Sequence, residues 1–307
     1  MTAQGLLRCT AGADHFALRA DDVRHVARAD QVRPDDTPDG RCGFVKLGSQ
    51  HVPVFCLRQA LGLAPLAVSA GGDRHVAVTG EQHDRVGWIV DRVTREPRAG
   101  IATLAPLPPS IGGQARRWFD GVAIGNDGPM LLINPVRLNP LGRARQECED
   151  LTPALAPPPL ADHHAAEPVA LVFSTAALPS ADVDKFALSG RQVAAIVPSD
   201  GAMQVPGCAA HVAGLTVWRD IAVPIVDFRD RSSTTGRDER RLIARCAQGG
   251  RSLIAITIEA DVRMHRPAAG DRLVTDVACP PFASGVFDLN GHRVALLDLD
   301  AVLAGTA

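Results

Sequence analysis

Seven cysteines, ten histidines and 34 carboxylate side chains are the groups in this 307-residue chain best suited to chemistry, and their spacing decides what they can do. Cys9, Cys42, Cys56, Cys148, Cys208, Cys246 and Cys279 are odd in number and scattered, with no C-x-x-C pair. That pattern suits neither a disulfide framework nor a structural zinc site, and reduced thiols in a cytosol are the simplest expectation. His163-His164 lies among prolines that offer no rigid further ligands, and His75 and His83 lack ligand spacing. Asp298 and Asp300 fall at period two, on one face of an expected terminal strand, and Glu259 and Asp261 form the other close acidic pair. Paired carboxylates could do acid–base work if the fold joined them, but a solvated strand face explains them more cheaply. Gly112-Gly113 stands alone with no G-x-G-x-x-G, and there is no G-x-S-x-G elbow. The expectation is a protein that is no enzyme and holds no cofactor or metal.

Charge and composition narrow the partners. The formal net charge is -2, aromatics are 4% and tyrosine is absent, which argues against a nucleic-acid surface. Arg116-Arg117 and the cluster from Arg237 to Arg241, interleaved with Asp238 and Glu239, read as loop charge. No run approaches the roughly 18 apolar residues of a membrane span. Met1 to Cys9 has no basic start followed by an apolar stretch. A cytoplasmic location is expected, with no direct membrane insertion.

The elements that must position these residues read as short strands. His51–Leu57 and Ala222–Phe228 alternate as half-buried strands do. Phe16–Leu18, Phe186–Leu188, His75–Thr79, Arg85–Val90, Met130–Ile133, Leu242–Cys246, Ser252–Glu259 and Val294–Leu297 are further candidates. Asn290-Gly291 is a strong hairpin signal, because both residues tolerate positive φ. Leu57–Leu63 and Val183–Leu188 allow at most a turn or two of helix. Residues 142–167 hold four prolines, including Pro157-Pro158-Pro159, and read as a semi-extended linker between domains at 1–141 and 168–307.

The two halves repeat. With Pro53 set on Pro224, Gly43 falls on Gly214, Val52 on Val223, Val54 on Ile225, Leu57 on Phe228 and Arg58 on Arg229. Phe16-Ala-Leu18 matches Phe186-Ala-Leu188, Gly121-Val122 matches Gly285-Val286, Asn126 meets Asn290, and Met130–Ile133 meets Val294–Leu297. The order is kept throughout, which a chance match of turn chemistry does not explain. Pro53 and Pro224 are expected at edge strands, since proline cannot donate to a ladder.

Gly214-Leu-Thr-Val-Trp-Arg-Asp-Ile-Ala-Val-Pro-Ile-Val-Asp-Phe228, approached through Val205-Pro-Gly-Cys, resembles the central signature of the CheW-like family. Val193–Ile196 resembles that family's partner-binding strand, and Gly285 to Asp300 its closing hairpin. Gly43–Arg58 and Val86–Val93 carry a weaker version in the first half. The resemblance implies an all-β chain of two tandem CheW-like domains, each made of two small SH3-like five-stranded β-barrels sharing a core. It implies a non-catalytic adaptor that couples chemoreceptor tips to the regulatory domain of a chemotaxis-type histidine kinase, in a chemotaxis or twitching pathway. Arg219, with Trp218 and Asp220 beside it, is carried over to the receptor groove, and Trp218 is read as the more core-like of the three. Val193 and Ile196, with Val23 and Val26 in the first half, are carried over to the kinase-facing strand. Loss of binding is expected on Arg219→Ala or on a charge at Val193.

The departures from the family pattern are specific. Ala195 and His25 stand where the family usually carries an acidic residue, Asp220 replaces the glycine after the arginine, and Gly48-Ser49 replaces Arg-Gly in the first half. The first domain is therefore read as a divergent sibling. The alternative is a repurposed double scaffold for a different protein partner. An enzyme on a β scaffold would instead need a deep pocket lined by perturbed carboxylates or histidines.

Overall fold

Short β-branched runs bounded by glycine, proline and aspartate fold as strands throughout. The protein is described from a computed structural model covering residues 5–35, 40–64, 74–81, 84–96, 101–125, 128–140, 169–175, 183–209, 212–228, 239–246, 252–266, 268, 271–280, 282–289 and 291–304. The expected linker, His83, Asn126, Arg229, Arg237, Asp238 and Asn290 lie outside these residues. Two compact units result: Met1–Leu107, Ile111–Ala154 and Met203–Cys208 form one, and Pro108–Ser110, Leu155–Ala202 and Ala209–Ala307 the other.

Among the described residues the first unit has eleven strands: β1 (Leu6–Ala11), β2 (Asp14–Arg19), β3 (Val23–Arg28), β4 (Arg41–Leu47), β5 (Gln50–Cys56), β6 (His75–Thr79), β7 (Val86–Val90), β8 (Arg92–Glu96), β9 (Ile101–Ala105), β10 (Phe119–Gly125) and β11 (Gly128–Ile133). They form a six-stranded sheet in the order β8-β1-β2-β11-β10-β9 and a five-stranded sheet in the order β3-β6-β7-β5-β4. The second unit also has eleven: β12 (Ala170–Phe173), β13 (Lys185–Ser189), β14 (Val193–Pro198), β15 (Val212–Trp218), β16 (Ile221–Val226), β17 (Arg240–Arg245), β18 (Leu253–Ile258), β19 (Val262–His265), β20 (Arg272–Leu273), β21 (Ala283–Leu289) and β22 (His292–Leu297). Its sheets run β19-β12-β13-β22-β21-β20 and β14-β17-β18-β16-β15. Strand for strand, this is the order of the first unit, so the repeat extends to topology.

The irregularities repeat as well. Each unit has one parallel pairing per sheet, β2 with β11 and β5 with β7 in the first, β13 with β22 and β16 with β18 in the second. The register slips between Val23 and His25 and between Val193 and Ala195. It slips again at Arg41/Gly43 and Val212/Gly214, and at Phe119/Gly121 and Ala283/Gly285. The glycines that align the halves are thus bulge residues, which bend an edge and increase its twist. At Gly43 (φ 143°) a Cβ would stand 2.0 Å from the Arg33 carbonyl oxygen, so glycine is required there.

In the second unit one apolar cluster runs across both sheets, through Phe173, Phe186, Leu188, Leu242, Ile254, Ile256, Phe282 and Leu297. Smaller clusters fill each sheet's own curve, Trp218, Val223, Ile225, Ile243, Leu253 and Ala255 in one and Val172, Ala187 and Val294 in the other. The first unit is pinned by Arg58, whose guanidinium donates to the Ala11 carbonyl at 2.6 Å, the Ala64 carbonyl at 2.9 Å and the Asp14 carboxylate at 2.8 Å. Arg58 follows β5, and its partners Ala11 and Asp14 flank the β1–β2 turn, so this contact ties the two sheets of the unit together.

Several expectations are corrected. Pro53 and Pro224 lie in β5 and β16, interior strands rather than edges. Phe44, opposite Pro53, spends its own N–H and carbonyl on Arg33, so the proline nitrogen faces β7, where pairing begins only at Val54. The ladder therefore loses nothing. Within the limit of a turn or two of helix, Leu57–Ala60 forms a short helix and Val183–Leu188 none, leading instead into β13. Asp298 is no strand-face residue: its carboxylate accepts the Asp300 and Ala301 amides and caps the helix Leu299–Ala304. Arg241 is not loop charge: it sits in β17, only 5% exposed.

Candidate partner-docking surfaces

The strand order of the second five-stranded sheet places the sequence candidates at its two ends. At one end, Trp218 pairs with Ile221 and leaves Arg219-Asp220 as a two-residue hairpin loop. Both loop residues have positive φ, 50° and 61°, the signature of a type I′ turn. Aspartate tolerates that region, but arginine rarely adopts it. The Arg219 guanidinium lies 4.6 Å from the Trp218 ring centroid, a cation–π contact. Trp218 is 9% exposed and belongs to the sheet's small core, so it supports the turn from beneath. In the first unit the corresponding loop is Gly48-Ser49, closed by Leu47 and Gln50, with positive φ at Gly48 only. A glycine at the first central position is the type II′ solution, and it carries no side chain to present.

At the other end, β14 is an edge strand with Ile196 37% exposed. In the first unit Val26 holds the matching place on edge strand β3 and is 39% exposed. A shallow groove of about 520 Å³ runs beside β14, lined by Ile196–Asp200, Glu239, Arg240 and Ala260. Val193 behaves differently, being half-buried and packed on the large shared core; Val23 is likewise half-buried. Ala194, Ala195 and Val197 lean on the same small core as Trp218, so the two candidate surfaces share one foundation.

Sequence reasoning missed Arg241. Its guanidinium Nη1 donates to the Asp200 carbonyl at 2.7 Å and to the Thr216 hydroxyl at 3.3 Å, while its Nε has no partner. Burial pulls its pKa below the ordinary arginine range, partly offset by Asp200, Glu239 and Asp227. In the first unit the matching register positions are Val76 and Val45, both core residues. Where the first copy has an apolar pair, the second has a buried polar one that holds down the chain just after β14. No sequence signal separated Arg241 from the charged residues before it.

Among the described residues no group of three or more His, Cys, Asp or Glu is placed to hold a metal ion. No helix among them is long and apolar enough to cross a membrane.

A family model described as CheW-like domain matches the chain twice, over residues 5–139 and 180–307, which is most of its length. The chain belongs to the CheW-like domain family. The tandem arrangement and the all-β fold expected from the sequence are both present. CheW-like proteins are non-catalytic scaffolds of the chemotaxis type that couple receptors to kinases. Among solved structures, the scaffolding protein TtCheW from Thermoanaerobacter tengcongensis matches at 20% identity with a TM-score of 0.36, covering 43% of this chain and 88% of that one. No curated protein matches the chain.

Proposed function

We propose that this chain is a non-catalytic adaptor of a bacterial chemosensory or motility pathway, with its second domain, 168–307, as the principal docking module. Arg219 engages carboxylates or carbonyls of a receptor tip, and Ile196 on the β14 edge engages the regulatory domain of a chemotaxis-type histidine kinase. The observation that carries the reading is the Arg219 turn. A non-glycine residue held at φ 50°, braced on a buried tryptophan, keeps its side chain in one exposed place, and backbone strain of this kind gathers at functional positions. A guanidinium there offers several donors in fixed geometry. The exposed apolar residue on an unpaired strand edge suits either a side-chain anchor or strand addition.

The test is pull-down and calorimetry of the full chain against purified receptor tips and kinase regulatory domains. Arg219→Ala should weaken receptor binding by roughly tenfold, the scale of one anchoring arginine. Ile196→Glu should do the same for the kinase domain. Val26→Glu measures what the first domain contributes. Val193 is a poor probe because a charge there would disturb the core. Tight kinase or receptor binding that neither second-domain variant alters would sink the assignment. Absence of all such binding would favour a repurposed scaffold.

A further inference from the structure

Cys42 and Cys56 are distant in sequence, yet the fold puts them side by side. The β4–β5 register passes from Gly43–Val54 to Arg41–Phe55, so Cys42 is the extra residue of the bulge. The ladder ends at Arg41–Phe55, and Cys56 lies one step beyond it. The Cys56 backbone N–H donates to the Cys42 sulfur, and the Cys56 thiol lies near enough to disfavour charge on Cys42. The amide that holds the Cys42 sulfur is that of Cys56 itself, so the two side chains are neighbours at the end of the β4–β5 ladder. Gly43, beside the bulge, packs closely on the Arg33 carbonyl, and Phe44 exchanges both of its backbone hydrogen bonds with Arg33. Both thiols are free and half-buried.

The duplicate shows that packing does not demand this pair. At the matching places of the second copy stand Ala213 and Asp227. Cys9 and Cys246 are a contrast: burial pushes both thiols up to about 12, as befits inert core residues.

We propose that Cys42 and Cys56 form a reversible modification site that is oxidised to a disulfide by a low-molecular-weight disulfide of the glutathione class. One protein thiolate attacks a sulfur of the small disulfide, whose S–S bond breaks and releases one thiolate. The second protein thiolate attacks the resulting mixed disulfide at the protein sulfur and expels the other small thiolate. The two protons lost by the cysteines end on the two released thiols. The protein pair is oxidised by two electrons and the small disulfide is reduced by two. Burial first, and the neighbouring thiol second, hold Cys42 above the ordinary thiol range, so exchange is slow near neutrality and quickens as pH rises. The product staples edge strand β4 to interior strand β5.

The experiment is incubation of the full native chain with oxidised glutathione, alkylation of remaining thiols, and tryptic mapping without reduction. The expected result is a cross-link between the peptides 42–46 and 47–58, reversed by dithiothreitol, with the native circular dichroism retained. Cys42→Ala, which installs the second copy's residue, should abolish the link and leave Cys56 as a stable mixed disulfide; Cys56→Ser should mirror it. A stable mixed disulfide in the unmutated chain, a link from either residue to another cysteine, or a link formed only after unfolding would each overturn the proposal.

Discussion

Arg219 combines a conformational cost with its proposed docking role. A side chain in the left-handed region costs roughly 1–2 kcal/mol. The exposed cation–π contact with Trp218 returns about 0.5–1 kcal/mol. Strain wins, so Arg219→Gly should leave stability unchanged or raise it by up to about 1 kcal/mol while weakening partner binding. Paired denaturation and binding curves check this, and a loss of both together would mean the arginine is merely structural. Arg58 is the opposite case, a residue whose work is internal. Its truncation removes a charge-assisted bond to Asp14 and two to carbonyls, and Arg58→Ala should cost about 2–3 kcal/mol in urea unfolding. In the sequence, the arginine–tryptophan pair was legible as a candidate through its place after Gly214. The left-handed conformation was not, because nothing in Arg-Asp announces a type I′ turn; the two-residue closure between Trp218 and Ile221 imposes it.

At the scale of elements, the bulges and the buried polar pair set the local rules. Gly43→Ala forces a Cβ onto the Arg33 carbonyl oxygen, whereas Gly48→Ala meets nothing within 4 Å and pays only for its φ of 60°. Thermal melts should separate them, with about 1 kcal/mol lost at Gly48 and well over about 3 kcal/mol at Gly43. In β17 and β15, Arg241→Val leaves space and strands the Thr216 hydroxyl. The double change Arg241→Val with Thr216→Val restores the first copy's apolar pair. It should recover at least about 1 kcal/mol relative to the single change, a coupling that a double-mutant cycle reads. Asp271 gives the pH dependence of the β19–β20 connection. Hydrogen bonds from His265 and from the Ala268 amide hold its carboxyl below the ordinary value. Its contribution is complete above the unfolded pKa near about 4 and is lost as pH falls through the lowered folded value. The protection of the Ala268 amide against exchange, relative to its intrinsic rate at each pH, should therefore fall only in that acid range. The alternating strands were readable from periodicity. Arg92–Glu96, Val262–His265 and Arg272–Leu273 were not, since such short polar pieces become strands only because a neighbouring strand offers a ladder.

For the whole molecule, the duplication was the most legible feature, because glycines that no other residue can replace and the Val-Pro pairs survive divergence. The family frame followed from it. The asymmetry of the two cores was hidden, since an arginine among Arg, Asp and Glu gives no sign of being buried. The boundaries at 141 and 168 remain a proposal drawn from the prolines between them. Limited proteolysis should cut first within 142–167 and release two fragments of nearly equal mass, seen by mass spectrometry.

The exposed apolar residue of the edge strand occurs in both copies, as Val26 and Ile196, but the arginine turn occurs once, since Gly48-Ser49 presents no guanidinium. Under the proposed docking such a chain has unequal valence. It would offer its strand edge twice and its turn once, so saturation with ligands of the two kinds should approach two to one. A network of such chains would branch through the first contact and terminate at the second.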